Sequence, residues 1–224
     1  MKADIIALMG NKGAGKDTIA NMIKKNAKSY DKIIIMSFAD SLKDATSAIF
    51  GFDRKMLEGG TVESRIWREK EIPELSEKMG VKVTPRFLLQ RIGTNILRKY
   101  LYDGIWVDSV LAKIKNTIEE DNTKSYLFII TDCRFKNEIK VLAKVCPGTK
   151  FVEVDRRFRS TKMYAYAYKY NNTHNPFVKA YCWLMLRKEH RSDWDWVGVV
   201  KNPILIYNIG SLDNLESLVN SVIL

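Results

Sequence analysis

The chain has 224 residues, 46% hydrophobic and 28% charged, with 37 Lys and Arg against 26 Asp and Glu for a net charge of +11. That balance excludes a disordered or fibrous chain and suits one globular domain over 1–224. Three cysteines without Cys-x-x-Cys or Cys/His spacing argue against a disulfide framework and a zinc centre, and no apolar run approaches the roughly 18 residues of a membrane span. With no secretion signal at the N-terminus, the expectation is a soluble cytoplasmic protein without membrane contact.

In chain order, "DIIALM" (Asp4 to Met9) predicts a strand, and a helix is predicted at 16–28. Strand-like runs return at Lys32 to Phe38, Tyr126 to Thr131, Lys150 to Val154 and Pro203 to Asn208. They are short, rich in Ile and Val, and mostly lack polar alternation, as strands of a parallel sheet buried on both faces do. Helical patterns lie at 40–50, 62–71, 85–100, 106–120, 135–144 and 212–222. This order implies an α/β fold, with a five-stranded parallel sheet flanked by helices.

Between the first strand and the first helix lies "GNKGAGKDT", Gly10 to Thr18. It follows the P-loop pattern G-x-x-x-x-G-K-[ST] as far as Lys16, then places Asp17 where a Ser or Thr hydroxyl normally meets Mg²⁺. A phosphate needs inward-turned backbone N–H groups, hence residues tolerant of unusual φ and ψ, and the positive end of the following helix. Gly10, Gly13 and Gly15 with Lys12 and Ala14 fit that need, Lys16 adds a mobile charge, and Thr18 offers a hydroxyl. ATP is the expected ligand. Asp17 suits a hard cation directly or through water, or else serves only as an acid at a helix start.

A second cluster, "TPRFLLQRIGTNILR" (Thr84 to Arg98), starts a helix at Pro85 with Arg86 and Gln90 four apart on one face. Arg98, twelve residues beyond Arg86, is expected at a similar azimuth. A guanidinium matches phosphate oxygens and an amide can pair with a base edge, although both also occur on ordinary solvated helices.

The strings "GNKGAGKDT", "SFADSLK", "TPRFLLQRIGTN", "IWVD", "TDCRFKNE" and "IYNIGSLDNL" occur together in this order. The chain thereby resembles the bacteriophage-type deoxynucleoside monophosphate kinases of the P-loop nucleoside-monophosphate kinase group, over about 3–155 and 189–222. The resemblance implies a P-loop kinase fold with an acceptor-binding helical region at 40–125 and a lid region at 156–191. It implies transfer of the ATP γ-phosphoryl group to a deoxynucleoside monophosphate (dNMP) with Mg²⁺, supplying phage DNA synthesis in the host cytoplasm, and it makes Asp17 a recurrent feature of this loop.

By matching motif, Gly13, Gly15, Lys16, Asp17 and Thr18 would hold the donor phosphates and metal. Phe38, Asp40 and Lys43 would lie where the acceptor packs, Arg86 would clamp its phosphate and Gln90 would read its base, with Thr94 beside them. Arg65 and Arg68 are further phosphate candidates, or members of a charged helix face. Asp132, just past an apolar strand, is expected to hold Mg²⁺ through water or to N-cap the next helix, and Arg134 to face the transferring oxygens. Asn137 and Glu138 carry no assigned role beyond the orientation of their neighbours, and His190 is read as a surface or packing residue.

The departure from the family lies at 159–188. Residues 156–191 hold nine Lys and Arg against one acid, eight of the eleven net charges, among many aromatics. Arg156, Arg157 and Arg159 at its entry are lid candidates over ATP. The segment is otherwise an appendage for nucleic acid, a replication partner or a homodimer contact. The rival functions are a P-loop kinase for another phosphorylated small molecule, such as phosphomevalonate, and a nucleotide-dependent nucleic-acid-binding protein.

Overall fold

The computed structural model of the protein describes residues 3–223. Five strands, β1 (Ala3–Met9), β2 (Lys32–Met36), β3 (Tyr126–Ile130), β4 (Lys150–Asp155) and β5 (Ile204–Tyr207), form one sheet in the order β2-β3-β1-β4-β5. Every pairing is parallel, with Ile5 opposite Phe128, Leu8 opposite Val152 and Val154 opposite Ile206. The fold is therefore α/β with the expected five-stranded parallel sheet, and the strands match the apolar runs to within two residues at either end.

Parallel strands need crossovers, and these bury both faces of the sheet. On one face Ile6, Leu8, Ile129, Val154 and Ile206 form a core with Ile19 and Ile23 of α1 (Lys16–Asn26) and Leu215 and Val219 of α10 (Leu212–Val222). The alternate residues Ile5, Ala7, Tyr126 and Phe128 are buried as well. Chain order reverses around β1: α1 leads from it past β3 to β2, whereas α7 (Lys136–Val145) leads from β3 past it to β4. The C-terminal end of β1 is thus a topological switch point, where open α/β sheets bind ligands.

The contacts divide the chain into two compact units, Phe38–Val110 and the remainder. The first holds α2 (Asp40–Phe50), α3 (Val62–Glu69), α4 (Pro73–Met79), α5 (Pro85–Gln90) and the beginning of α6 (Ile105–Glu120). Thr61 and Thr84 cap α3 and α5 by accepting from the N–H groups of Ser64 and Phe87. From Arg91 to Leu101 the chain after α5 winds as a wider π-helix. There the Gly93 carbonyl accepts the Trp106 indole N–H at 3.1 Å, and Gly93 lies so close to Leu42 that a Cβ would collide with it.

Segment 160–188, within the departure from the family, is two packed helices, α8 (Lys162–Asn172) and α9 (Pro176–Leu186). Asn171 Nδ2 donates to the carbonyls of Asp195 and Val197 at 3.1 and 2.9 Å, Tyr170 meets Trp194 edge to face, and Cys182 and Leu186 are buried. The hairpin is built into its unit. α9 nonetheless exposes Phe177, Tyr181, Trp183 and Leu184.

Candidate functional site

The Gly-rich loop leaves β1 at the switch point and enters α1 through Gly15. Gly10, Gly13 and Gly15 have φ of 144°, 77° and 99°, values that L side chains rarely adopt. Two of them are also tightly packed: a Cβ on Gly10 would strike the Val154 carbonyl and one on Gly15 the Asn208 side chain. Ala14 N–H donates to the Asn11 carbonyl at 3.1 Å and closes the turn.

Lys16 opens α1 and is only 6% exposed. Its ammonium donates to the carbonyls of Gly10 and Asn11 at 2.9 and 3.0 Å, so it folds back over its own loop. Burial lowers its pKa to about 7, Arg134 adds to the lowering, and Asp17, Asp132 and Asp193 oppose it. A buried cation that accepts no further burial cost gains from any anion placed beside it. Asp17 and Thr18 stand exposed on the first turn of α1.

Asp132 follows β3, where Thr131 N–H donates to the Met36 carbonyl and Cys133 N–H to the Leu8 carbonyl, at 3.0 and 3.2 Å. These bonds hold residues 131–133 beside the end of β1. Asp132 does not cap α7, whose N-cap is Phe135. Glu138, 1% exposed, instead takes the N–H groups of Arg134 and Phe135 at 2.8 and 3.0 Å, and so shapes the turn that carries Asp132 and Arg134. Arg134 keeps its Nε–H buried without a hydrogen-bond acceptor among the described residues. The sequence reading gave Glu138 no role beyond orienting its neighbours, and these bonds are of that kind; the Glu three residues past an N-cap was their signal.

After β4, Asp155 accepts from the N–H groups of Phe158 and Arg159 at 2.7 and 3.2 Å, and Arg157 adopts a φ of 67° within that turn. Arg156 and Arg157 are exposed. Arg159 forms a two-pronged pair with the buried Glu153 at 2.7 and 3.0 Å, which raises its pKa, and lies over the Tyr164 ring. That pairing ties Arg159 to the fold. His190 accepts from Ser192 N–H and caps the short turn Arg191–Asp193. Asp193 on that turn is an acid within electrostatic reach of Lys16 that sequence reasoning missed.

In the 38–110 unit the candidate cations are already engaged. Lys43 meets Glu58 at 2.7 Å and Asp40 at 3.4 Å, and Arg54 joins Asp40, Asp44 and Glu58. Arg65 donates to the carbonyls of Gly59 and Gly60, and Arg68 to that of Glu58. Arg86 pairs with Glu69 at 3.1 Å. Gln90 and Thr94 are half-buried and Phe38 is 3% exposed. Arg98 corrects the expectation from spacing: it is 8% exposed and donates to the Asp103 carbonyl at 3.1 Å. At roughly 100° per residue, twelve residues leave Arg98 about 120° from Arg86, so the spacing itself does not place it on that face.

For an ATP and Mg²⁺ site the loop has the needed parts. The positive-φ glycines shape the turn, the orphaned Arg134 Nε–H and the buried Lys16 want an anion, and Asp17 and Asp132 offer the hard oxygens that Mg²⁺ takes beside phosphates and water. Among the described residues no group of three or more His, Cys, Asp or Glu gathers as a metal cage. No helix among them is long and apolar enough to cross a membrane.

No family model matches the chain. It is 27% identical over 163 residues, covering 68% of this chain and 74% of the other, to a protein of Acanthamoeba polyphaga mimivirus named "Putative deoxynucleotide monophosphate kinase". Among solved structures it aligns with a sugar kinase from a Janibacter species at a TM-score of 0.43 and 14% identity, over 98% of this chain and 94% of that one. A gluconokinase from Sinorhizobium meliloti aligns at 0.36 and 10% identity, over 97% and 90%. Scores this low have no bearing on its chemistry.

Proposed function

We propose that the protein transfers the γ-phosphoryl group of ATP to deoxynucleoside monophosphates. The observation that carries this reading is the P-loop at the switch point, with a buried Lys16 surrounded electrostatically by Arg134, Asp17, Asp132 and Asp193. The named mimivirus relative and the Arg86/Gln90 pair on α5 support a nucleotide acceptor.

The backbone N–H groups of Gly13 to Thr18 would cradle the donor phosphates, with Lys12 and Ala14 in the same loop. Asp17 and Asp132 would hold Mg²⁺, which neutralises charge on the phosphate oxygens when bound. Lys16 would leave the Gly10 and Asn11 carbonyls for the β- and γ-phosphates, and Arg134 would face the transferring oxygens. Arg156 and Arg157 are the exposed cations nearest in sequence to the end of β4 and would cover the nucleotide. On the helical unit, Arg86 would take the acceptor phosphate, Gln90 and Thr94 its base, and Phe38, Asp40, Lys43, Arg65 and Arg68 the surrounding contacts. Catalysis would then rest on positioning and charge stabilisation. The acceptor phosphate is anionic at neutral pH, so no general base is required.

A panel measuring ADP release with each dNMP, with phosphomevalonate and with single-stranded DNA tests this. Release that depends on a dNMP is expected. Release driven only by phosphomevalonate or by DNA would overturn the reading.

A further inference from the structure

Asn208 of the string "IYNIGSLDNL" has no role above. Asn208 directly follows β5, and its N–H donates to the carbonyl of Asp155, the last residue of β4, at 2.8 Å. Its side-chain Nδ2 donates to the Ala14 carbonyl at 2.7 Å, and the same side chain fills the place where a Cβ on Gly15 would go. These separate observations put the Asn208 carboxamide against the phosphate loop.

A loop that turns its N–H groups inward around an anion must turn carbonyls outward, and an outward carbonyl that is buried needs a donor. Among the described residues, three loop carbonyls have side-chain donors. Lys16 covers those of Gly10 and Asn11, and Asn208 covers that of Ala14, a residue 2% exposed. The Lys16 bonds are temporary on the proposed reading, because the ammonium leaves them when phosphate arrives. The Asn208 bond need not break.

We infer that Asn208 is a positioning residue that holds the Ala14–Gly15 peptide in its phosphate-receiving orientation, tying the loop to the ends of β4 and β5. The inference rests on the reading of Gly10 to Thr18 as a phosphate site, and on nothing about the acceptor.

The test measures binding of ATP and of inorganic tripolyphosphate to the full chain by calorimetry, with steady-state kinetics alongside. Asn208→Ala removes the donor, and Asn208→Asp keeps the shape while opposing a carboxylate to the Ala14 carbonyl. Loss of one neutral bond to a buried carbonyl should weaken both ligands about tenfold, with Asn208→Asp weaker still. Equal loss for ATP and tripolyphosphate, with an unchanged KM for dNMP, marks a role at the phosphates. Gly15→Ala should cost less in the Asn208→Ala background than in the native chain, because the collision is with Asn208. Native affinity in both Asn208 variants would overturn the inference alone. A native chain that binds neither ATP nor tripolyphosphate would overturn the phosphate-site reading, and the inference with it.

Discussion

The P-loop and the 38–110 unit both carry cations that the sequence reading expects at substrates, and they hold them in opposite ways. Lys16 is buried against carbonyls, and burial with a neighbouring guanidinium lowers its pKa to about 7. Lys43 and Arg86 are partly exposed and already paired with Glu58 and Glu69. A desolvated cation gains when an anion arrives, whereas a paired one must first give up its partner. The difference teaches that the loop is poised for charge and the helical unit is charge-balanced, so a phosphate bound there replaces a carboxylate.

The comparison breaks most visibly at Lys16. Lys16→Ala should lower kcat by about 100- to 1000-fold, the usual cost of removing one donor to developing charge, with little change in KM for the acceptor. Steady-state kinetics check this, and a loss confined to acceptor KM would reverse the assignment. Arg86→Ala should raise KM about 10- to 30-fold for every dNMP alike, worth about 1.5 to 2 kcal/mol. The low end of the charged-bond range applies because binding gives up the Glu69 pair. Gln90→Ala should instead act unevenly among the four bases.

The third expectation concerns protons. Near pH 8, Lys16 with a pKa of about 7 is mostly neutral before nucleotide binds, and phosphate should restore its charge. ATP binding should therefore take up close to one proton (about one), seen as a calorimetric enthalpy that varies with the ionisation enthalpy of the buffer. The same shift has a stability consequence. The folded pKa lies below the unfolded value of 10.5, so between about pH 7 and 10.5 the unfolded chain binds more protons. The Lys16 contribution to stability therefore rises with pH across that window, and Lys16→Met should remove that slope from the unfolding free energy. The smallest effect is expected at Phe177, which is 85% exposed on α9: Phe177→Ser should leave turnover and Tm unchanged.

The same contrast explains what could be read from the chain. The five strands were legible because continuous apolar runs suffice for a sheet buried on both faces, and the loop because its residues are adjacent in sequence. Helix α4, "PELSEKM", was not, since it buries no residue and so shows no apolar stripe. Helix α8 hid behind "MYAYAYKY", whose alternation has period two rather than 3.6. Asn208, Asp193 and the Glu153–Arg159 pair act through residues distant in sequence or buried by tertiary packing, which spacing does not report. Arg98 was misplaced because twelve residues at about 3.6 per turn end roughly a third of a turn away from Arg86, not on its face.

The most direct measurement follows the phosphorus itself: the protein is mixed with Mg²⁺, ATP labelled in its γ-phosphate and each dNMP in turn, and the products are separated. The account expects label in the β-phosphate of the deoxynucleoside diphosphate, formed one for one with ADP, and lost in Lys16→Ala. Label recovered only as inorganic phosphate, or in no nucleotide product with any of the dNMPs, would contradict it.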